Sequence, residues 1–257
     1  MIRFQLLGPL RLEHRGVVVE GPTAPKVRQL LALLLLKPNQ VVSADLIVDE
    51  LWGGQPPRRA IVTLQTYICH IRKLLAQGCG NDERVDRLLT TVSPGYVLSV
   101  EPGQLDLDRF RDLLDEGRAY YEGGEHREAA LKLRSALELF HGPVLADVVV
   151  GQVLRPYKVL IEEEYGSARA LRIQADLALG RHREIIGELK SLTVSEPLDE
   201  WAHARLMEAL SSAGRRNEAL STYQRLHRTL DRELGITPSH ELQLLQRSIL
   251  TQGLHAS

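Results

Sequence analysis

Between Arg58 and Ala76 the sequence carries Arg58, Arg59, Thr63, Gln65, Thr66, His70, Arg72 and Lys73 and no carboxylate. Ile61, Leu64, Ile68, Ile71 and Leu75 recur among them at helical spacing, which predicts one buried stripe on an amphipathic helix. The rest of that helix offers its surroundings only cations and hydrogen-bonding groups. An exposed helix ordinarily mixes both signs of charge; a face of this composition suits a phosphate backbone and base edges. The same residues also describe a solvated helix that touches nothing, and the helix alone does not separate the two readings.

Covalent and metal chemistry find no comparable constellation. His14, His70, His126, His141, His182, His203, His227, His240 and His255 are scattered, with no pair at metal spacing beside Cys or carboxylate. Cys69 adjoins His70, but adjacent helix positions face apart, so no nucleophile–base pair forms there. Glu162-Glu163-Glu164 reads as a solvated helix face. Neither G-x-x-x-x-G-K-[ST] nor a strand-following G-x-G-x-x-G occurs. The sequence therefore predicts no enzyme, no cofactor and no metal.

The elements around the cationic helix give it a context. Ile2, Phe4 and Leu6 alternate with Arg3 and Gln5 at period two. With Leu10–Leu12 and Val17–Val19, and turns at Gly8-Pro9 and His14–Gly16, they predict a small antiparallel sheet. A leucine-rich helix follows from Lys26 to Lys37, with Pro25 at its start and Pro38 past its end. Leucine nearly all round it implies burial on most faces. Ser43 is a suitable N-cap for a second helix, Ala44 to Trp52, which stops at Gly53-Gly54 before Pro56-Pro57. After the cationic helix and a polar loop (Gly78 to Asp86), two strand patterns flank Ser93-Pro94-Gly95 as a hairpin. Helices two and three around a Gly/Pro connection, closed by a hairpin, are a helix-turn-helix with a wing.

Beyond Pro102-Gly103, a linker by composition, the pattern is nearly all helical, with Asp106 or Asp108 expected to cap the first helix. A repeat is present. Ala175, Gly180, Glu184, Leu189 and Leu192 recur thirty-four positions later as Ala209, Gly214, Glu218, Tyr223 and Leu226, the tetratricopeptide (TPR) period. A weaker copy stands upstream at Gly124, Glu128, Ala129 and Leu133.

Length and composition agree with two soluble modules. The chain has 257 residues, 44% hydrophobic and 25% charged, enough for a sizeable core without disulfides. Its longest apolar run, Leu30–Leu36, is far short of the ~20 residues a membrane span needs. The N-terminus leads into no secretory h-region, and Cys69 and Cys79 fit no disulfide or metal framework, so a cytoplasmic location is expected. Residues 1–100 carry 12 Lys+Arg against 8 Asp+Glu, whereas residues 101–257 carry 20 against 25. A polyanion would thus be bound by the first part. The expected domains are 1–102, able to fold alone, and 103–257.

The N-terminal sheet, Asp49-Glu50-Leu51-Trp52, Thr63-Leu64-Gln65, Ile71-Arg72-Lys73-Leu74-Leu75 and Pro94-Gly95-Tyr96 together resemble the OmpR-type winged helix. More closely, the chain resembles the Streptomyces antibiotic regulatory protein (SARP) family, which places that winged helix at the N-terminus. Leu105–Phe110, Gly142–Asp147, Ala175–His182, Glu196–Leu198, Gly214–Leu220 and Glu233–Ile236 are similar to that family's bacterial transcriptional activation domain. Phe140-His141 stands where the family often has a Trp and a basic residue, and Leu154-Arg155-Pro156-Tyr157 stands where a further Trp commonly follows.

The resemblance implies a mainly α fold: an α+β winged helix-turn-helix, then an all-α TPR-like repeat domain. It implies an activator that binds double-stranded DNA at direct repeats near biosynthetic-cluster promoters. The copies associate in tandem and recruit RNA polymerase, including its sigma factor, with no membrane involved. Base readout is expected from Gln65, Thr66, His70 and Arg72, since Gln and Arg can pair bidentately with A or G edges. Phosphate contacts are expected from Arg58, Arg59, Thr63, Lys73, Arg87, Thr90 and Thr91. The connection Gly53-Gly54-Gln55-Pro56-Pro57 is the expected polymerase contact. Trp52 is expected in the core; Tyr96 is read equally as a contact or as packing under the wing. A ligand-gated repressor and a TPR-type adaptor remain the alternatives.

Overall fold

Alternation at period two produces the first sheet: β1 (Ile2–Gln5), β2 (Arg11–His14) and β3 (Val17–Glu20), antiparallel in the order β1-β2-β3. Ile2, Phe4 and Leu12 point one way and are buried. The structure is a computed structural model and describes residues 2–14, 17–79 and 88–251. Arg87 and parts of the expected His14–Gly16 turn and Gly78–Asp86 loop lie outside those residues.

The leucine-rich segment forms α1 (Pro25–Leu36), with Leu30 to Leu35 fully buried as leucine on every face requires. Asn39 fixes its exit: its side-chain amide donates to the Val100 carbonyl at 2.9 Å and accepts from the Val100 amide at 3.0 Å. Next come β4 (Val42–Ser43) and α2 (Ala44–Trp52), where Ser43 Oγ accepts from the Leu46 amide at 3.2 Å, the expected N-cap. The cationic segment is α3 (Ala60–Cys79), and β5 (Leu89–Val92) with β6 (Gly95–Leu98) forms the hairpin. β6 also pairs with β4, giving the order β4-β6-β5. That pairing demands glycine at 95, where a Cβ would lie 1.9 Å from the Val42 carbonyl oxygen.

One part of the expected stripe on α3 fails. Leu64, Ile68, Ile71 and Leu75 are buried, but Ile61 is 47% exposed, because the first turn of α3 projects past the core its later turns pack against.

The remaining described elements are helices: α4 (Asp106–Glu122), α5 (His126–Leu137), α6 (Leu154–Ala178), α7 (His182–Ser195), α8 (Glu200–Ser212), α9 (Arg216–Leu234) and α10 (His240–Thr251). The repeat is real in the backbone: Gly124, Gly180 and Gly214 each turn between paired helices at left-handed φ of 79°, 74° and 78°. Ala175 and Ala209 are fully buried, as close helix pairing requires. By contact the chain divides into two compact units, Met1–Leu171 and Arg172–Ser257, and the division falls within α6.

The first unit is joined by carboxylates. Neither Asp106 nor Asp108 caps α4; its N-cap is Leu105, with no side-chain bond. Asp106 instead accepts the Leu6 and Leu7 amides at 2.9 and 3.0 Å. Desolvation raises its pKa to about 6, against the pull of those two amides. Asp147 accepts the Leu10 amide at 2.8 Å and pairs with Arg28 at 3.3 Å. Glu50, only 3% exposed at the end of α2, accepts the amides of Gly151 and Val153, both at 2.7 Å, and of Leu154 at 3.0 Å, at the start of α6. The Gln29 side chain donates to the same carboxylate at 2.8 Å.

The second unit packs Ile185, Leu189, Leu206, Leu210, Leu226 and neighbours into one core. Buried Asp176 accepts from Arg172 at 3.1 Å and from Arg181 at 2.9 Å there.

Candidate nucleic-acid interface

The exposed face of α3 follows from its buried one. With Leu64, Ile68, Ile71 and Leu75 turned inward, Arg58, Arg59, Val62, Gln65, Thr66, Cys69, His70 and Lys73 are left exposed. Val62, Thr66, Cys69 and Lys73 lie four, three and four residues apart and line one side of the helix. The expected readers Gln65, Thr66 and His70 are therefore brought onto one surface, with cations at both ends.

Three hydroxyls and one guanidinium are already engaged. Thr63 donates Oγ1–H to the Arg59 carbonyl, and Thr66 donates to the Val62 carbonyl, each at 3.1 Å. A hydroxyl has one proton, so in these rotamers both threonines offer lone pairs and a methyl, not a donor. Arg72 is half-buried; its Nε donates to the Leu89 carbonyl and its Nη2 to Thr91 Oγ1, both at 3.0 Å. As a base reader it would have to leave those bonds. Thr91 is exposed and accepts from Arg72, which leaves its own O–H to donate. Thr90 is half-buried on the same strand. Arg87 lies outside the described residues.

The aromatic residues place the helices. Tyr96 is 8% exposed and packs in the wing beside Val42, which decides the open reading in favour of packing. Trp52 is half-buried and stacks on Tyr67 of α3, with ring centroids 6.3 Å apart. It fastens the end of α2 to α3. The connection between them leaves Gly54, Gln55, Pro56 and Pro57 exposed and Gly53 half-buried.

Other chemistry has little to work with. No group of His, Cys, Asp and Glu able to hold a metal occurs among the described residues. A groove of about 420 Å³ between α7 and α9 is lined by Arg225 and by Lys190 and Glu218, which pair with each other at 2.9 Å. Arg215, and after it Lys190, bond Glu218 and hold its carboxyl down at about 2. No helix among the described residues is long and apolar enough to cross a membrane.

Two family patterns divide the chain between them. "Transcriptional regulatory protein, C terminal" matches residues 20–98, and "Bacterial transcriptional activator domain" matches residues 105–250. The Regulatory protein DnrI of Streptomyces peucetius is 39% identical over 251 residues, 97% of this chain and 92% of that protein. The chain belongs to the SARP family. This SARP is also 34% identical to the Regulatory protein AfsR of Streptomyces griseus, over 97% of its own length but 24% of that protein. A solved structure of Mycobacterium tuberculosis EmbR in complex with a low affinity phosphopeptide matches with a TM-score of 0.88 at 33% identity, covering 98% of this chain and 65% of that one. This SARP is thus a DNA-binding transcription regulator of a non-enzymatic family, with an OmpR-type winged helix preceding the helical activator domain.

Sequence periodicity missed two parts of this surface. Val62 lies off the 61-64-68-71-75 stripe, and that offset is a signal that it faces outward; Ile61 lies on the stripe and gives none. The engagement of Arg72 by the wing had no local signal, since its partners lie seventeen and nineteen residues away.

Proposed function

We propose that this SARP activates transcription of a biosynthetic gene cluster from the cytoplasm. It binds direct repeats near the promoter and recruits RNA polymerase. The observation that carries the reading is the exposed, carboxylate-free face of α3, with cations at both ends and a wing tied to its side. Gln65, Thr66 and His70 read base edges in the major groove. Arg58, Arg59, Lys73, Thr91 and, on a rotated hydroxyl, Thr63 hold phosphates, with Thr90 and Arg87 beside them on the wing side. Arg72 sets the spacing of helix and wing, and its role at a base is secondary to that.

Head-to-tail copies then occupy half-sites about 10–11 bp apart, one turn of the duplex. The Gly53–Pro57 connection, exposed from Gly54 on, meets polymerase and its sigma factor. The test is run-off transcription with purified polymerase on a repeat-bearing promoter, with occupancy checked by footprint. The reading expects Gln55→Asp to keep the footprint and lose the transcript. Full transcript from that variant at equal occupancy removes the connection from the activation surface.

A further inference from the structure

The exposed face of α3 carries apolar groups that a phosphate-binding or hydrogen-bonding helix does not need. Val62 is 57% exposed at the centre of that face. One turn on, Thr66 spends its hydroxyl proton on the Val62 carbonyl, so it adds a methyl and acceptor lone pairs, but no donor, to the outward surface. Cys69, exposed and free, follows on the same side. The three form a short apolar ridge between Gln65 on one flank and His70 on the other, with Lys73 beyond it. No described residue covers it, and cations flank it, Arg58 and Arg59 at the start of the helix and Lys73 beyond Cys69, where an anionic partner has to come.

In a duplex major groove one apolar group projects from a base edge: the C5 methyl of thymine. We infer that Val62, supported by the Thr66 methyl, packs on a thymine methyl and makes this SARP select thymine at that position of each half-site. The inference rests on the base-readout reading and deepens it. Hydrogen-bonding groups alone give Gln65 and His70 no preference for thymine over uracil, because the two differ only by the methyl. An apolar contact does. Burying one methyl group between Val62 and its surroundings is worth about fourfold in affinity.

The test uses the full chain and duplexes recovered by selection from a random library. Each thymine in the recovered half-site is replaced singly by deoxyuridine, and binding is titrated for the wild type and Val62→Ala. Val62 is exposed, so the variant keeps the fold, and circular dichroism checks this. One thymine in each half-site is expected to cost the wild type about fourfold on demethylation, while Val62→Ala binds thymine and uracil duplexes alike there. Lys73→Ala should weaken every duplex and keep the wild-type discrimination. Specific duplexes with no thymine sensitive to demethylation overturn the inference and leave base readout standing. A sensitive thymine that Val62→Ala still distinguishes also overturns it. Recovery of no preferred sequence overturns base readout and the inference together.

Discussion

Arg72 donates to β5 through two nitrogens, so its loss acts on the wing before it acts on any base. Arg72→Ala is expected to lower affinity for every duplex by a similar factor and to preserve their ranking, measured by titration across single-base variants of a recovered site. A loss confined to one base position makes Arg72 a reader instead. Lys73→Ala removes one exposed charge, and the slope of log affinity against log salt should fall by about 1. Asp106 gives a pH signature. Its folded-state pKa is raised from 3.8 to about 6, so the stability it contributes is fully present below pH 3.8 and is lost as pH rises through about 6. Asp106→Asn should flatten that decline, read from urea unfolding at acid and neutral pH. An unchanged decline assigns it to other groups.

At the scale of elements, the sequence was most legible where a signal is local. The second helix runs from Ala44 to Trp52 as the Ser43 cap and the Gly53-Gly54 stop require. The thirty-four-residue period placed the left-handed turns at Gly180 and Gly214. Contacts between distant segments were not legible, because no nearby residue announces them. Asp106 looks like a helix cap in sequence and in the fold holds the amides of Leu6 and Leu7, just past β1. Glu50 looks like a surface carboxylate on a short helix and closes the start of α6. Its removal strands three amides, so Glu50→Ala should cost about 2–4 kcal/mol in urea unfolding. A loss below the scatter of the fit would show that water replaces the carboxylate without penalty. The exposed side of α3 was legible in composition, but which of its groups remain free to bind was not. That depended on Thr63, Thr66 and Arg72 finding partners within the fold.

For the whole molecule, the basic winged helix shares a compact unit with the helices up to Leu171. Cutting after residue 102 would bare buried Leu6, Leu7 and Phe4 and strip Glu50 of its amide donors. A 1–102 fragment is therefore expected to unfold without cooperativity, whereas a 1–171 fragment unfolds in one transition and binds DNA. A cooperative 1–102 fragment with full affinity would show that the carboxylate contacts are dispensable. The central claim is that the exposed face of α3 reads base sequence, and parallel selections from one random library with wild type and Gln65→Ala test it most directly. Wild type should recover direct repeats, and Gln65→Ala should relax the preference at one position per half-site by about 1–3 kcal/mol while the salt slope stays the same. Identical sequences recovered by both proteins, or an altered salt slope with an unchanged preference, would contradict it.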